Sequence, residues 1–252
     1  MDNNSQTDQE LIYRTAQTIK NSKKTVALTG AGISVASGIP PFRGEGGLWE
    51  KYNPDEYAHV LAFKSQPERV WIMLKEMIDT IRPARPNAAH KALAELEEMG
   101  YLEAIITGNV DYLHQAAGSR KVLELHGNNS SLICMKCGNN YLIERYLERM
   151  PPLCDCGSPL RPDVVFFGEA LPEKTLLESF ELSRQCELML VIGTSSMVSP
   201  MSHMPVMAKE AGAQVVELNL EVTFLTSYLS DWIITGKVEE ALPMIVNELK
   251  NI

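Results

Sequence analysis

The sequence predicts a doubly wound α/β fold, in which helices cover both faces of a parallel sheet, with a smaller second lobe attached. The sheet is indicated by short apolar runs that alternate with segments of helical periodicity, and by glycine turns that follow two of these runs. The lobe is indicated by two segments that interrupt the alternation. A chain of 252 residues can bury such a core without disulfides.

The first two cycles of helix and strand lie in the first 110 residues. Residues 8–22 carry apolar side chains at helical spacing, and the β-prone run 25–29 follows and ends in a glycine turn. In the second cycle Asn87 is placed as a helix N-cap and Gly100 as the helix stop, and the apolar run 104–107 comes next. Each cycle therefore predicts a buried strand preceded by a helix.

Later runs repeat the pattern. Residues 122–125 are predicted to form a strand, and 188–192 is a continuous apolar run followed by Gly193. The run 215–218 follows a helix-like stretch at 201–211. Because apolar strands alternate with helices, we expect these strands to lie parallel in one sheet that is buried on both faces.

Two segments break the alternation and predict the smaller lobe. One is rich in proline, glycine and aromatic residues before a helical stretch around 67–81, and the other contains four of the five cysteines. We therefore assign residues 1–38, 85–127 and 163–252 to the sheet domain, and residues 39–84 and 128–162 to the small lobe.

Charge and cysteine content limit the possible partners and compartment. The formal charge of −9 argues against direct nucleic-acid binding and would attract basic protein segments. No apolar run reaches the about 18 residues of a membrane span, and the first ten residues lack signal-peptide regions. We expect a cytosolic protein whose cysteines stay reduced and serve as metal ligands or packed thiols.

Four cysteines have the spacing of a structural zinc site. Cys134 and Cys137 form a C-x-x-C pair, and Cys154 and Cys156 form a tighter C-x-C pair. Four thiolates would complete a tetrahedral zinc shell and leave no position open for catalysis. The alternative is four free cysteines without a metal. Cys186 stands apart in a predicted helix and is interpreted as a packed thiol.

The glycine turn Gly30-Ala-Gly32 could bring backbone N–H groups to a pyrophosphate at a helix N-terminus. The dinucleotide fingerprint has a third glycine where this chain has Val35, so an ordinary NAD(P)H dehydrogenase is disfavoured. A ligand-free turn between strand and helix is the alternative.

The residues that follow this turn resemble the opening signature of the sirtuin family, in a compact form typical of prokaryotes. Further matches continue in the family's order and cover most of the chain. They are GAGIS at 30–34, SGIP at 37–40, FRG at 42–44, PN at 86–87 with His90, TGNVD at 107–111, HG at 126–127, the cysteine module, RPDVVFFGE at 161–169, GTS at 193–195 and NLE at 219–221. The resemblance implies a Rossmann-like sheet that binds NAD, and a small lobe made of a zinc ribbon and a helical insertion.

The resemblance also implies NAD-dependent removal of acyl groups from protein lysines. In that reaction the acyl oxygen attacks the anomeric carbon of NAD⁺ as nicotinamide departs, and His126 then activates a ribose hydroxyl; the products are lysine, nicotinamide and an O-acyl-ADP-ribose. Histidine suits this role because it is neutral and basic near pH 7, and His126 ends a predicted strand at the usual ligand edge. His59, His90, His114 and His203 are interpreted as packing or surface residues.

The matched positions supply a predicted NAD site. Asn109 and Asp111 correspond to residues that position the nicotinamide ribose and carboxamide, and they count with His126 as catalytic; without the family context a surface turn would be favoured. Phe42 corresponds to an aromatic that shields the reactive carbon, and Arg43 is expected to face the phosphates. Gly193, Thr194 and Ser195 are also expected to meet phosphate, and Asn219 is expected to contact the adenosine ribose. The full cofactor set is Gly30, Ala31, Gly32, Ser34, Val35, Phe42, Arg43, Gly108, Asn109, Val110, Asp111, Gly193, Thr194, Ser195, Asn219 and Val238.

One segment resembles the family's substrate-peptide site. It consists of Val164, Val165, Phe166, Phe167, Gly168 and Glu169. It would pair with an acyl-lysine peptide by strand addition, a mode that relies on backbone hydrogen bonds. A plain core strand is the alternative, and both can hold at once.

Two departures from the family pattern affect the expected activity. Gly108 stands where the family has glutamine, so an amide beside the nicotinamide ribose is lost and slower turnover is expected. Leu74 and Met77 stand where relatives that remove acidic acyl groups have Tyr and Arg. We therefore expect apolar acyl groups to be preferred over succinyl or malonyl groups.

Two other functions remain open at this point. The same site could transfer ADP-ribose to protein or water, which mass spectrometry of the products would reveal. The chain could instead be a catalytically weak module that binds NAD or acyl-lysine. The presence of His126 with Asn109 and Asp111 favours the enzyme, because a binding module needs no general base.

Overall fold

The computed structural model describes residues 7–44, 46–145 and 149–252. The first six residues assigned to the sheet domain, residue 45 of the first small-lobe segment and residues 146–148 of the cysteine segment lie outside the described residues. The described strands are β1 (Thr25–Thr29), β2 (Ala104–Thr107), β3 (Val122–Glu124), β4 (Gly127–Cys134), β5 (Asn140–Leu142), β6 (Leu160–Val164), β7 (Leu188–Ile192), β8 (Gln214–Asn219) and β9 (Trp232–Thr235).

The described helices surround these strands. The α-helices are α1 (Asp8–Asn21), α2 (Leu48–Lys51), α3 (Pro54–Tyr57), α4 (Val60–Ser65), α5 (Pro67–Ile81), α6 (Ala88–Glu98), α7 (Leu113–Ala117), α8 (Glu173–Gln185), α9 (His203–Glu210), α10 (Phe224–Tyr228) and α11 (Val238–Asn251). Short 3-10 helices occupy Ala31–Ser37 and Ile143–Arg145. Within the described ranges, no helix combines the length and the apolar character that a membrane crossing requires.

Six of the described strands form a parallel sheet in the order β3-β2-β1-β7-β8-β9. If the six strands of this sheet are numbered from 1 to 6 along the chain, their order is 3-2-1-4-5-6, which is the order of a dinucleotide-binding fold. The predicted fold class is therefore confirmed. The chain reverses its winding direction between β1 and β7, where Thr29 pairs with Thr107 on one side and Ile192 on the other. Ligands bind in such folds at the carboxyl ends of the strands beside this reversal.

Each face of the large sheet carries its own apolar core. Ala27 of β1 packs with α1, α6 and α11, whereas Val26 and Leu28 point to the opposite face and pack with α8 and α9. All five residues of β1 are buried, because the central strand of a doubly covered sheet has no solvent-facing side. Burial of each aliphatic side chain contributes about 1.5–3 kcal/mol.

A third core joins the two segments that interrupt the alternation. Strand β4 lies between β5 and β6 in an antiparallel sheet, and helices α3, α4 and α5 pack against it. Trp71 of α5 is 1% exposed, and its Nε1 donates to the backbone oxygen of Leu160 at 2.8 Å. The shared core supports one small lobe built from both segments, whose exact residue limits stay a prediction.

Several local predictions agree with the described backbone, and others differ by a turn or less. Thr7 caps α1 with a capping box, and Asn87 caps α6 as predicted. The glycine turn leads into a 3-10 helix, whereas the sequence suggested an ordinary helix. Cys186 lies just after α8 rather than within it, and it is buried, with its thiol donating to the backbone oxygen of Ser183.

Candidate active site

The carboxyl ends of β1 and β7 meet with no side chain between them. Gly30 N donates to Ile192 O at 3.1 Å, and Gly32 N donates to Gly193 O at 2.8 Å. A Cβ added at Gly32 would lie 2.7 Å from Gly193 O, and one added at Gly193 would lie 2.4 Å from Ile33 N. The two turns that the sequence assigned to phosphate binding therefore pack directly on one another where the winding reverses.

Three polar side chains form a buried network beside these turns. Ser34 Oγ donates to Asp111 Oδ2 at 2.7 Å and accepts from Asn109 Nδ2 at 3.2 Å. Asn109 Nδ2 also donates to Gly30 O at 3.1 Å, and Leu113 N donates to Asp111 Oδ1 at 2.9 Å. Because Ser34, Asn109 and Asp111 are at most 9% exposed, these hydrogen bonds fix their orientation.

His126 lies between β3 and β4, with its imidazole half-buried. Its Nδ1 is 3.0 Å from the backbone oxygen of Gly108, the residue before Asn109. A carbonyl oxygen can only accept a hydrogen bond, so Nδ1 donates to it, and in the neutral imidazole the lone pair lies on Nε2. This is the protonation state that a general base requires.

Gly108 leaves a space that a methionine fills. A Cβ added at Gly108 would lie 3.1 Å from Met201 Sδ and 3.6 Å from His126 Nδ1. The Gly108 backbone lies outside the left-handed region, so it can accept other residues without strain. A side chain at this position would therefore border the imidazole once the flexible Met201 side chain moved by a few tenths of an ångström.

A cleft opens beside the polar network. Six predicted cofactor residues line it: Ala31, Ser34, Phe42, Asn109, Val110 and Asp111. The remaining wall is Ile39, Pro40, Leu48, Glu76, Met77, Thr80 and Ile81, of which only Met77 was considered as a pocket residue from the sequence. The spacing of residues 76, 77, 80 and 81 on one face of α5 is the signal that could have identified the others.

An aromatic chain connects the cleft to the predicted substrate segment. The ring of Phe42 stacks on Trp49 with centroids 5.6 Å apart, and Trp49 packs against Phe167 at 6.1 Å. Trp49 was not predicted as a functional residue. It joins the loop that carries Phe42 to residues 164–169, although Phe167 lies 118 residues further along the chain than Trp49.

Two histidines lie buried beneath the network. His114 Nε2 is 2.9 Å from Thr29 Oγ1, and its ring lies 5.0 Å from that of His90. Burial lowers the pKa of His114 to about 3 and the pKa of His90 to about 4. Both were predicted only as packing or surface residues, and the structure shows them as neutral core groups directly behind Ser34.

The predicted phosphate and adenosine residues lie on the other side of the glycine turns. Asn219 Nδ2 donates to the backbone oxygen of Thr194 at 3.2 Å, and Ser195 is exposed next to it. The remaining predicted residues do not line the cleft. They are Val35, which is 44% exposed, the exposed Arg43, and Val238, which is buried in the core beside α1.

The predicted substrate segment continues from β6 as an extended stretch. An ion pair between Arg161 and Glu169, with 2.9 Å between nitrogen and oxygen, closes it into a loop. The backbone of Phe167 already exchanges hydrogen bonds with Ala58 and Val60. An added peptide strand would therefore have to use the remaining backbone groups of this segment.

The four predicted zinc ligands form one cluster. Their sulfur atoms all lie within 4.8 Å of one another, and the Cys134–Cys156 and Cys137–Cys154 pairs are 3.6 and 3.4 Å apart. A tetrahedral shell with metal–sulfur bonds of about 2.3 Å would separate the sulfurs by about 3.8 Å. The backbone N–H of Cys156 helps to lower the pKa of Cys154 to about 6, which favours a thiolate. The donor set and geometry therefore fit a structural zinc ion.

Comparison with known proteins places these features in a family context. The Sir2 family model matches residues 30–200. NAD-dependent protein deacylase 2 of Pyrobaculum aerophilum is 48% identical over 236 residues, which cover 93% of this chain and 94% of that protein. A Sir2 structure with a deacetylated p53 peptide and 3′-O-acetyl-ADP-ribose superposes with a TM-score of 0.90 at 39% identity, over 94% of this chain and 98% of that one. A Sir2 complex with a p53 peptide and NAD⁺ gives 0.87 at 38% identity, over 95% and 98% of the two chains.

Proposed function

Because this chain belongs to the Sir2 family, we propose that it is an NAD-dependent protein lysine deacylase. It would transfer the acyl group of a modified lysine to ADP-ribose and release nicotinamide. Support comes from the relative named as a deacylase and from the related structures that hold peptide with NAD⁺ or with an acetyl-ADP-ribose.

The orientation of His126 carries this proposal. Since the Gly108 carbonyl holds the Nδ1 proton, Nε2 is the free basic atom of the ring. In the proposed reaction Nε2 accepts the proton of a ribose hydroxyl, which makes that oxygen nucleophilic. The short link from Gly108 to Asn109 keeps the base next to the polar network of the cleft.

The polar network is the proposed site of the nicotinamide end. Asp111 has one carboxylate oxygen held by Ser34 and the other by Leu113 N, and each oxygen keeps a second lone pair. A carboxamide N–H₂ is a suitable donor to this carboxylate. Phe42 at the cleft wall would exclude water from the reactive carbon.

The four-cysteine cluster would hold zinc away from this chemistry. Four thiolates saturate a tetrahedral ion, so the metal would supply only structural support to the small lobe. We also propose that the protein works in a reducing compartment such as the cytosol, because metal ligation needs thiolates rather than disulfides.

The substrate would be an acyl-lysine peptide bound along residues 164–169. The Phe42–Trp49–Phe167 chain of rings would place this segment beside the loop that carries Phe42, a predicted cofactor residue. The net charge of −9 favours peptides with basic residues around the modified lysine.

We propose that apolar acyl groups are preferred over succinyl and malonyl groups. Among the described residues that line the cleft, the charged side chains are the carboxylates Glu76 and Asp111. Met77 occupies the position where a cation would be needed, and Leu74 is buried behind it. A carboxylate-tipped acyl group would therefore meet repulsion rather than a bidentate partner.

The direct test compares the unmodified protein with His126→Ala on NAD⁺ and acetyl-, butyryl- and succinyl-lysine peptides. We expect acyl-ADP-ribose from the first two peptides, and a loss of about 10²–10⁴-fold in the variant. Products are identified by mass spectrometry, and circular dichroism checks that the variant is folded.

Three outcomes would contradict the proposal. ADP-ribosylated protein without deacylated peptide would assign a transferase instead. Equal rates for His126→Ala and the unmodified protein would show that His126 is not the general base. Equal turnover of succinyl and acetyl peptides would refute the acyl preference alone.

A further inference from the structure

A buried carboxylate with no part in the proposed chemistry lies in β8, two residues before Asn219. Glu217 is 0% exposed, and among the described residues no lysine or arginine lies within ion-pair distance of it. A carboxylate removed from water without a cation is costly unless several hydrogen bonds replace the lost hydration.

Three hydroxyl groups from the segment that follows β8, together with the amide of Asn219 at the end of β8, replace that water. Thr226 Oγ1 and Ser230 Oγ donate to Glu217 Oε1 at 2.8 and 2.6 Å, and Thr223 Oγ1 and Asn219 Nδ2 donate to Oε2. An ionised carboxylate can only accept hydrogen bonds. Each of these hydroxyl protons is therefore directed at Glu217.

This arrangement orders the loop around α10. Thr223 and Thr226 each donate their hydroxyl hydrogen to Glu217, so their oxygens are free to accept from the backbone. Thr223 Oγ1 accepts from Leu225 N at 3.1 Å, and Thr226 Oγ1 accepts from Thr223 N at 2.9 Å. These bonds form the capping box of α10. The carboxylate thus connects β8 to the whole stretch from residue 223 to Ser230.

The same carboxylate fixes the side-chain amide of Asn219. Asn219 Nδ2 faces the Thr194 carbonyl at 3.2 Å and Glu217 Oε2 at 3.4 Å, and both partners can only accept. The amide therefore has one permitted orientation, with Nδ2 toward Thr194 and Glu217 and Oδ1 on the opposite side. No described residue donates to this Oδ1, which is not sealed from solvent.

We infer that Glu217 is a positioning residue for the adenosine end of NAD⁺, an inference that rests on the proposed function. By holding Nδ2, it presents Asn219 Oδ1 as an acceptor for a ribose hydroxyl. Glutamine at position 217 would offer both a donor and an acceptor, so only the Thr194 carbonyl would still favour the orientation with Nδ2 inward, and the Asn219 amide would be held less firmly. The loss falls on cofactor binding and not on acyl transfer, because His126 and Asp111 are held by other contacts.

The test is Glu217→Gln, which keeps the volume of the side chain and removes its charge. We expect KM for NAD⁺ and Kd for ADP-ribose to rise about five- to tenfold, with kcat and the KM of the acyl peptide within about twofold of the unmodified protein. Steady-state kinetics and titration calorimetry with ADP-ribose give these values. Thermal unfolding is recorded in parallel, since loss of the loop contacts also lowers stability.

Glu97→Gln is the matched control. Glu97 is a second largely buried carboxylate, with a side chain 10% exposed, and it accepts from Arg120 N and Lys121 N at 2.7 and 2.9 Å. It belongs to α6, and within the described part of the chain the hydrogen-bond and ion-pair partners of its side chain are Arg120 and Lys121, neither of which is a predicted NAD-site residue. We expect its replacement to lower stability while leaving KM for NAD⁺ unchanged.

Unchanged ADP-ribose affinity in folded Glu217→Gln would overturn the inference, as would equal rises in both KM values. If that variant does not fold, Asn219→Asp decides, because a carboxylate at 219 cannot donate to Thr194 or Glu217. This variant should weaken ADP-ribose binding by at least the five- to tenfold expected for Glu217→Gln. Unchanged affinity for ADP-ribose would again overturn the inference. An unmodified protein that binds neither NAD⁺ nor ADP-ribose would instead refute the proposed function.

Discussion

The sheet domain and the small lobe bury their apolar residues by different means. The large sheet has an apolar core on each face, and its central strand β1 is buried at every position. The small lobe has one core, which includes Cys134 and Cys154, and its strand β5 leaves Leu142 71% exposed. The difference indicates that the sheet domain is stabilised by packing alone, whereas the small lobe depends on its metal ligands.

Removal of the metal would produce the largest effect. A strong zinc chelator, or Cys137→Ser, is expected to unfold the β4–β6 sheet and abolish deacylation, because structural zinc sites contribute about 10 kcal/mol or more of apparent binding energy. The sheet domain should stay folded. Hydrogen exchange resolved by peptide measures both lobes at once, with protection lost in β4–β6 and kept in β1, β7 and β8.

Cys186→Ala provides the control for this experiment, since Cys186 is a buried thiol outside the cluster. Its replacement should leave protection of β4–β6 intact. Unchanged exchange in β4–β6 after complete zinc removal would show that the two lobes do not differ in this respect.

Acid should expose a weakness of the sheet domain. His114 has a pKa of about 3 in the folded protein, against an ordinary value of 6.5, because it is buried. Below pH 6.5 this histidine is therefore protonated in the unfolded chain, whereas in the folded protein it stays neutral down to about pH 3. The free energy of unfolding is highest above pH 6.5 and decreases as the pH falls below that value. Between pH 7 and 5 this histidine alone should cost about 2 kcal/mol.

His114→Gln should remove that part of the pH dependence while keeping a polar atom near Thr29. Denaturant unfolding at pH 7 and pH 5 gives the comparison, and the exposed His203 supplies a control replacement, His203→Gln. A loss between the two pH values that is the same with and without the His114 imidazole would contradict this account of the sheet domain.

The smallest expected effect concerns Gly108, which contacts both catalytic and packing residues. Gly108→Gln should raise the deacylation rate by roughly two- to tenfold through a regained hydrogen bond beside the ribose. Met201→Ala combined with it should give at least the same gain, because Met201 Sδ lies where the new side chain begins. Initial rates on an acetyl-lysine peptide provide the measurement.

Gly108→Ala separates the two contributions, since it removes backbone freedom without adding an amide. We expect it to leave the rate within about twofold. No change or a decrease with both glutamine variants would show that the missing amide does not limit turnover.

The parts of the structure that could be predicted from sequence are those set by local patterns. Apolar runs identified five of the six described strands of the large sheet but not β9, and Asn87 identified the start of α6, because burial and capping depend on residues close in sequence. The spacing of the cysteines could also identify the four zinc ligands, since two thiolates of a C-x-x-C or C-x-C pair can face one metal ion. These ligands are Cys134, Cys137, Cys154 and Cys156. The resemblance located His126, but its tautomer depends on a carbonyl 18 residues away.

The parts that could not be predicted depend on packing between distant segments. Nothing local distinguishes the buried His114 from a surface histidine, whereas the spacing of His90 with Leu93 and Leu96 on one face of α6 could have indicated its burial. The 3-10 form of the helix after Gly30 and its hydrogen bond from Gly32 N to Gly193 O were not predicted, since that contact depends on the β1–β7 pairing of strands distant in sequence. The role of Glu217 depends on hydroxyl groups 6 to 13 residues further along the chain that fold back onto it.

The direct contact of Gly32 with Gly193 also limits how this protein can change. A Cβ at either residue would collide with the other turn, and Gly193 has the positive φ of +59° that disfavours other residues. Substitution of Gly32 or Gly193, where the two halves of the sheet join, is therefore strongly disfavoured. Diversification of the binding site must come instead from the loop at 39–48 and the inner face of α5, so directed evolution of new acyl preferences should begin there.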